Sequence, residues 1–119
     1  MKKDIETHED VALLVTSFYE KVMKNKELSP FFEGLDENQH RPRIEQFWRF
    51  ILLGEQGYTT NVTEKHLRLP LTKTSFDLWL TLFFQTLEEH FEGPTTLLAK
   101  ERARLIALNI QSKMNLLEN

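Results

Sequence analysis

The sequence predicts an all-α domain. Pro30, Gly34, Gly54, Gly57, Pro70, Gly93 and Pro94 cut the chain into helix-sized pieces, and between them the apolar residues recur with a period near 3.6. No stretch alternates apolar and polar residues long enough to form a strand.

The first helix is expected from about Thr7 to Asn25. Thr7 and Asp10 are spaced as a capping pair, and Val11, Leu14, Phe18 and Val22 share one face with Tyr19 one step away. Pro30-Phe31-Phe32 then reads as a short buried corner. The next helix reaches Leu53 and turns Ile44, Phe47, Trp48, Ile51 and Leu52 inward. Asp36 could cap it with Gln39, but Pro42 would then fall inside it, so a start nearer His40 with Pro42 in the first turn is favoured. A loop from Gly54 to Val62 follows, then a single short turn from Thr63 to Pro70 that holds His66. Thr74 and Asp77 are spaced to open a further helix with Trp79, Leu82, Phe83, Thr86, Leu87 and His90 inward. It ends before Gly93-Pro94. The last helix, about Thr95 to Leu117, places Leu98, Leu105, Ile106, Ile110 and Leu117 at helical spacing, with Lys100, Arg102, Arg104 and Lys113 toward solvent.

At 119 residues the chain supports one domain over 1–119, with one core or one enclosed pocket. Its net charge of −3 and scattered basic residues argue against nucleic-acid binding. Without cysteine there is no disulfide frame, thiolate zinc site or thiol catalysis, so a metal must use His, carboxylate or water. The N-terminus turns acidic within four residues with no apolar stretch behind its lysines, which predicts no secretory signal and a cytoplasmic location. The longest apolar run, Leu78 to Phe84, is far shorter than the roughly 20 residues a membrane span needs. Phosphate-cradle, H-E-x-x-H and G-x-S-x-G motifs are absent, and the neighbouring Glu88 and Glu89 point in different directions on a helix.

A small helical bundle with an aromatic core and surface histidines accounts for most residues. Two features exceed what such a bundle needs: nine Phe, two Trp and two Tyr in one short chain, and a histidine in a very short helix between loops. A planar apolar cofactor such as haem calls for large flat side chains around an imidazole ligand.

Motifs at fixed order sharpen this. Phe18-Tyr19-Glu20-Lys21-Val22, Leu28-Ser29-Pro30-Phe31-Phe32, and His40 eight positions before Trp48 come first. They are followed by Leu52-Leu53-Gly54-Glu55-Gln56-Gly57-Tyr58, by His66-Leu67-Arg68-Leu69-Pro70 and by the run from Phe76 to Phe83. Phe91-Glu92-Gly93 and the run from Arg102 to Ala107 complete the series, which resembles the group III truncated haemoglobins from about Phe18 to Ala107. The resemblance implies a truncated globin-like two-over-two helical sandwich enclosing haem b.

Carried over residue by residue, the resemblance makes His66 the proximal iron ligand. Tyr19 matches the family's distal tyrosine, whose hydroxyl donates to bound dioxygen, and Trp79 matches its distal tryptophan, a second donor. For each, ordinary core packing is the competing reading. His40 holds the distal-histidine position and is a third donor, a gate or a surface residue. Arg43, three residues on, corresponds to the basic position near a haem propionate, and Lys65 and Arg68 flank His66 near the other. Phe18, Phe31, Phe32, Ile44, Phe47, Trp48 and Phe76 are expected around the cofactor. His8 and His90 match no functional position.

Three functions follow from these readings. The first is reversible binding of dioxygen and other small diatomic ligands by a monomer. The second is a haem redox enzyme acting on peroxide, nitric oxide or nitrite, which would depend on an external reductase. The third is a helical interaction protein without a cofactor.

Overall fold

The computed structural model of the chain describes residues 2–32, 37–56 and 71–114. Helix α1 runs His8–Lys24, a 3₁₀ turn covers Ser29–Phe32, α2 runs Glu37–Leu53, α3 Lys73–His90 and α4 Pro94–Lys113. The expected turn from Thr63 to Pro70, most of the loop before it, and Leu117 lie outside the described residues. So do Lys65, His66 and Arg68.

The capping pair of α1 forms as expected. Thr7 Oγ1 accepts from the Asp10 N–H at 3.1 Å, and Asp10 Oδ2 accepts from the Thr7 N–H at 3.0 Å. Val11, Leu14, Val15, Phe18, Tyr19 and Val22 are buried along one face. Asn25 ends the helix, and its side-chain oxygen accepts from the N–H groups of Glu27 and Leu28, turning the chain into the 3₁₀ segment. Phe31 and Phe32 at that corner are half-buried rather than buried, and Leu28 ahead of them is the buried anchor.

Helix α2 starts at Glu37, three residues before the expected His40, so Pro42 lies inside it. Pro42 has no N–H to give the Asn38 carbonyl its helical i+4 bond. Asn38 belongs to the first turn, where no preceding turn is wedged open, so the clash is met close to the helix end. Helix α3 also starts earlier than its expected cap. Thr72, not Thr74, is the N-cap, and it exchanges hydrogen bonds with Ser75 rather than Asp77.

Helix α4 corrects a further expectation. Its buried face is Thr96, Ala99, Ala103, Ala107, Ile110 and Gln111, whereas Leu105 is 45% exposed. Alanines at i, i+4 and i+8 let the α4 backbone approach α2 and α3, and a leucine there would hold the helices apart.

Helix α1 packs on α2 and α3, and α4 packs on the same two helices. The α1–α2 pair thus lies over the α3–α4 pair, the two-over-two sandwich. Among the described residues no helix is long and apolar enough to cross a membrane.

The N-terminal segment closes the end of this sandwich. Ile5 is buried, and the Glu92 N–H donates to the Lys3 carbonyl at 2.9 Å within an isolated parallel bridge between Lys3 and Phe91. Helix α4 has Pro94 in its first turn and Gly93 as a cap without a side chain. Asp4 supplies the missing acceptor from 91 residues away, taking the Thr95 and Thr96 N–H groups and the Thr96 hydroxyl, each at 2.8 Å. Gly93 adopts φ +142°, and a Cβ there would sit 2.6 Å from Asp4 Cγ, so the close approach requires glycine.

Partial burial pushes the Asp4 carboxyl up, but the hydrogen bonds from Thr95, Thr96 and the Ile5 N–H together outweigh it and hold the group at about 2 against an ordinary 3.8. A carboxyl that ionises more readily folded than unfolded stabilises the fold fully above its unfolded value. That contribution drains away as pH falls toward the folded value. Asp4→Asn keeps an acceptor but removes the charge at the helix N-terminus, and is therefore expected to lower stability by about 0.3–1 kcal/mol at neutral pH in urea denaturation. The gap from wild type should narrow as pH falls below about 4; a gap independent of pH would mean that the charge contributes nothing.

Candidate functional site

The site grows from one packed aromatic group. Phe83 of α3 is 1% exposed and receives three rings: Trp79 stacked at 5.4 Å, Trp48 of α2 stacked at 4.8 Å, and Phe18 of α1 edge-on at 5.2 Å. Phe18 also meets Trp79 edge-on at 5.7 Å, and Phe47 meets Trp48 at 5.3 Å. Offset and edge-on pairs of this kind hold relative ring orientations as well as burying area. The three helices are thereby fixed to one another beside the polar residues expected to act.

Beside Phe18 on the same helix, Tyr19 is 2% exposed and its hydroxyl is buried. Its ring meets Phe32 of the 3₁₀ turn at 5.4 Å and the His40 imidazole of α2 at 6.0 Å. Phe32 and His40 lie 6.2 Å apart, so the three rings form one corner. His40 is half-buried there, not a fully solvated surface residue. The start of α2 at Glu37 places it inside the helix.

The other expected residues divide. Phe18 and Trp48 belong to the main buried core, and the partly buried Phe32, Ile44, Phe47 and Trp79 pack against it. Phe76 does not. It is buried with Ala107 and Ile110 in a second cluster that includes Leu71, the first described residue after the segment carrying His66. Arg43 is exposed. His8 and His90 have local roles: His8 pairs with Glu55 at 2.8 Å, and His90 shares a hydrogen bond with Ser17 at 3.1 Å. Glu55 also receives the Arg49 Nε–H at 3.1 Å, which ties the end of α2 to the start of α1.

Sequence reasoning missed Phe83 as the centre of the site and missed Arg41 altogether. Arg41 is half-buried, with its guanidinium carbon 5.5 Å from the Tyr19 ring centroid. Its place next to His40 was the available signal, but among the basic residues around Pro42 nothing in sequence separates it from Arg43.

The chemistry of these residues fits haem: flat apolar side chains suit the macrocycle, while a buried phenol, an imidazole and an indole can supply polar groups.

The sequence profile of the family described as bacterial-like globins matches residues 3–112. The chain is 35% identical over 121 aligned positions to the group 3 truncated hemoglobin ctb of Campylobacter jejuni, covering 96% of this chain and 95% of that protein. Superposition on the crystal structure of a group III truncated hemoglobin from Campylobacter jejuni gives a TM-score of 0.85 at 34% identity, over 96% of this chain and 95% of the other. The truncated oxygen-avid haemoglobin from Bacillus subtilis gives 0.75 at 25% identity, over 87% and 92%.

Because three helices meet on Phe83, its truncation opens a cavity that none of them can close alone. Phe83→Ala is expected to cost about 3–5 kcal/mol. The denaturation midpoint should fall far more than for an exposed control such as Leu97→Ala. Equal shifts for the two variants would contradict the central packing role.

Proposed function

Since the chain belongs to the bacterial-like globin family, we propose that it holds haem b through His66 and binds dioxygen and similar small diatomic ligands reversibly on the side of Tyr19. The observation that carries this reading is the corner where the buried Tyr19 ring, the His40 imidazole and Phe32 meet beside the Phe18–Trp79–Phe83 stack. Haem, when bound, supplies a ferrous iron with one position open to such a ligand.

The residues of this chain do the rest. Phe18, Phe47 and Trp48 exclude water from the distal side, which raises the worth of each remaining polar contact. Tyr19 donates its O–H to a ligand that carries partial negative charge, and the Trp79 N–H supplies a second donor. In this reading His40, half-buried beside Tyr19, acts as a gate by moving its ring. His66 would supply the imidazole that holds the iron, and Lys65, Arg68 and Arg43 would pair with the propionates. Ion pairs at a protein surface contribute about 0–1 kcal/mol each, so these would orient the cofactor more than hold it.

His66→Ala is expected to lose the Soret band or retain it weakly, and His66→Gly with added imidazole should restore it. A wild-type ferrous spectrum in His66→Ala would remove His66 from its role. On the distal side, a charge-assisted hydrogen bond contributes about 1.5–3 kcal/mol, so Tyr19→Phe should speed dioxygen dissociation by about 10- to 150-fold. Carbon monoxide, less polar when bound, should respond much less. Equal changes for the two ligands would mean that the pocket acts by shape and not by donated hydrogen bonds.

A further inference from the structure

Of the basic residues around Pro42, Arg43 reaches solvent while Arg41 turns back over Tyr19. The Arg41 guanidinium carbon lies 5.5 Å from the Tyr19 ring centroid, within the range in which a cation is attracted to an aromatic face. The ring beneath it is 2% exposed, and Phe32 and His40 pack beside it. A charge at this half-buried place is screened less than one in open solvent.

Its electrostatic consequence falls on the phenol. A cation beside the ring favours negative charge at the phenolic oxygen, and a more polarised O–H is a stronger donor. Arginine suits the place better than lysine, because its delocalised planar guanidinium stacks on aromatic faces and is more weakly hydrated.

We propose that Arg41 is a positioning residue of the distal site, which sets through the Tyr19 ring how strongly the Tyr19 hydroxyl donates to a diatomic ligand bearing negative charge. This rests on the globin reading of the site. It adds a determinant of ligand discrimination outside the Tyr19, Trp79 and His40 set: Arg41 favours dioxygen over carbon monoxide without touching either.

The test is a double-mutant cycle on the haem-reconstituted protein, using Arg41→Gln, Arg41→Lys, Tyr19→Phe and the double variant Arg41→Gln with Tyr19→Phe. Circular dichroism and melting of each apoprotein confirm the fold. The readouts are the dioxygen dissociation rate and the infrared stretching frequency of bound carbon monoxide, which falls as positive potential grows at its oxygen end. Arg41→Gln should speed dioxygen dissociation by about 3- to 10-fold and raise the stretching frequency. Arg41→Lys should recover part of both changes. In the Tyr19→Phe background, Arg41→Gln should add little, because the group through which Arg41 acts is gone. An Arg41→Gln effect of undiminished size in that background overturns the proposal, as does an unchanged Arg41→Gln protein when Tyr19→Phe changes both readouts. If Tyr19→Phe itself leaves both readouts unchanged, or if the wild-type protein takes up no haem, the functional reading falls and this inference with it.

Discussion

The packing of three rings on Phe83 is the constraint from which the rest of the structure follows. Trp48, Trp79 and Phe18 come from helix α2, helix α3 and helix α1, and all contact the one buried phenyl group. Their mutual angles leave little freedom for any helix to rotate without breaking a stacked or edge-on pair. Tyr19 follows Phe18 in the same helix, so orienting Phe18 also orients Tyr19. In the same way, Trp48 fixes the face of α2 that carries His40 and Arg41 two turns earlier. The polar corner is thus positioned by apolar contacts several ångströms away, which is how a mostly aromatic core supports a few directional donors.

A different device holds the far end. Helix α4 presents mainly alanines to the sandwich, its large buried anchor Ile110 lies near its C-terminal end, and its N-cap Gly93 supplies no capping side chain. Asp4 compensates by joining the N-terminal segment to the α4 start with three hydrogen bonds. The small face of α4 and its borrowed cap belong together. A helix that packs by close backbone approach has fewer side chains to hold its end in place, and an external carboxylate supplies that restraint.

Local signals in the sequence were legible where the chemistry is local. Thr7 and Asp10 cap α1 as their spacing requires, and the inward stripe of α1 follows its 3.6 period. The cap of α3 was misplaced by two residues because Ser75, an uncommon partner at the third position, does what an acidic or amide side chain usually does. Leu105 was misassigned because apolar periodicity weights bulk, whereas close helix packing selects the alanines beside it. Asp4 and Arg41 were invisible for another reason: their partners are set by tertiary approach, across 91 residues in one case and across two helices in the other. Tyr19, His40 and Trp79 stood out through resemblance to a family, and the packing brings Tyr19 and His40 into one corner with Trp79 against Phe18. His66, Lys65 and Arg68 stand out by sequence alone.

Both tryptophans of the chain lie in the aromatic group beside the proposed pocket, so intrinsic fluorescence reports directly on its occupant. Titration of the apoprotein with haem, following tryptophan emission and the Soret band together, tests the central claim most directly. The account predicts that emission is quenched in step with growth of the Soret band, both saturating at one haem per chain. Emission that persists while haem absorbance grows without saturation would mean that the cofactor binds elsewhere or nonspecifically, and would contradict it.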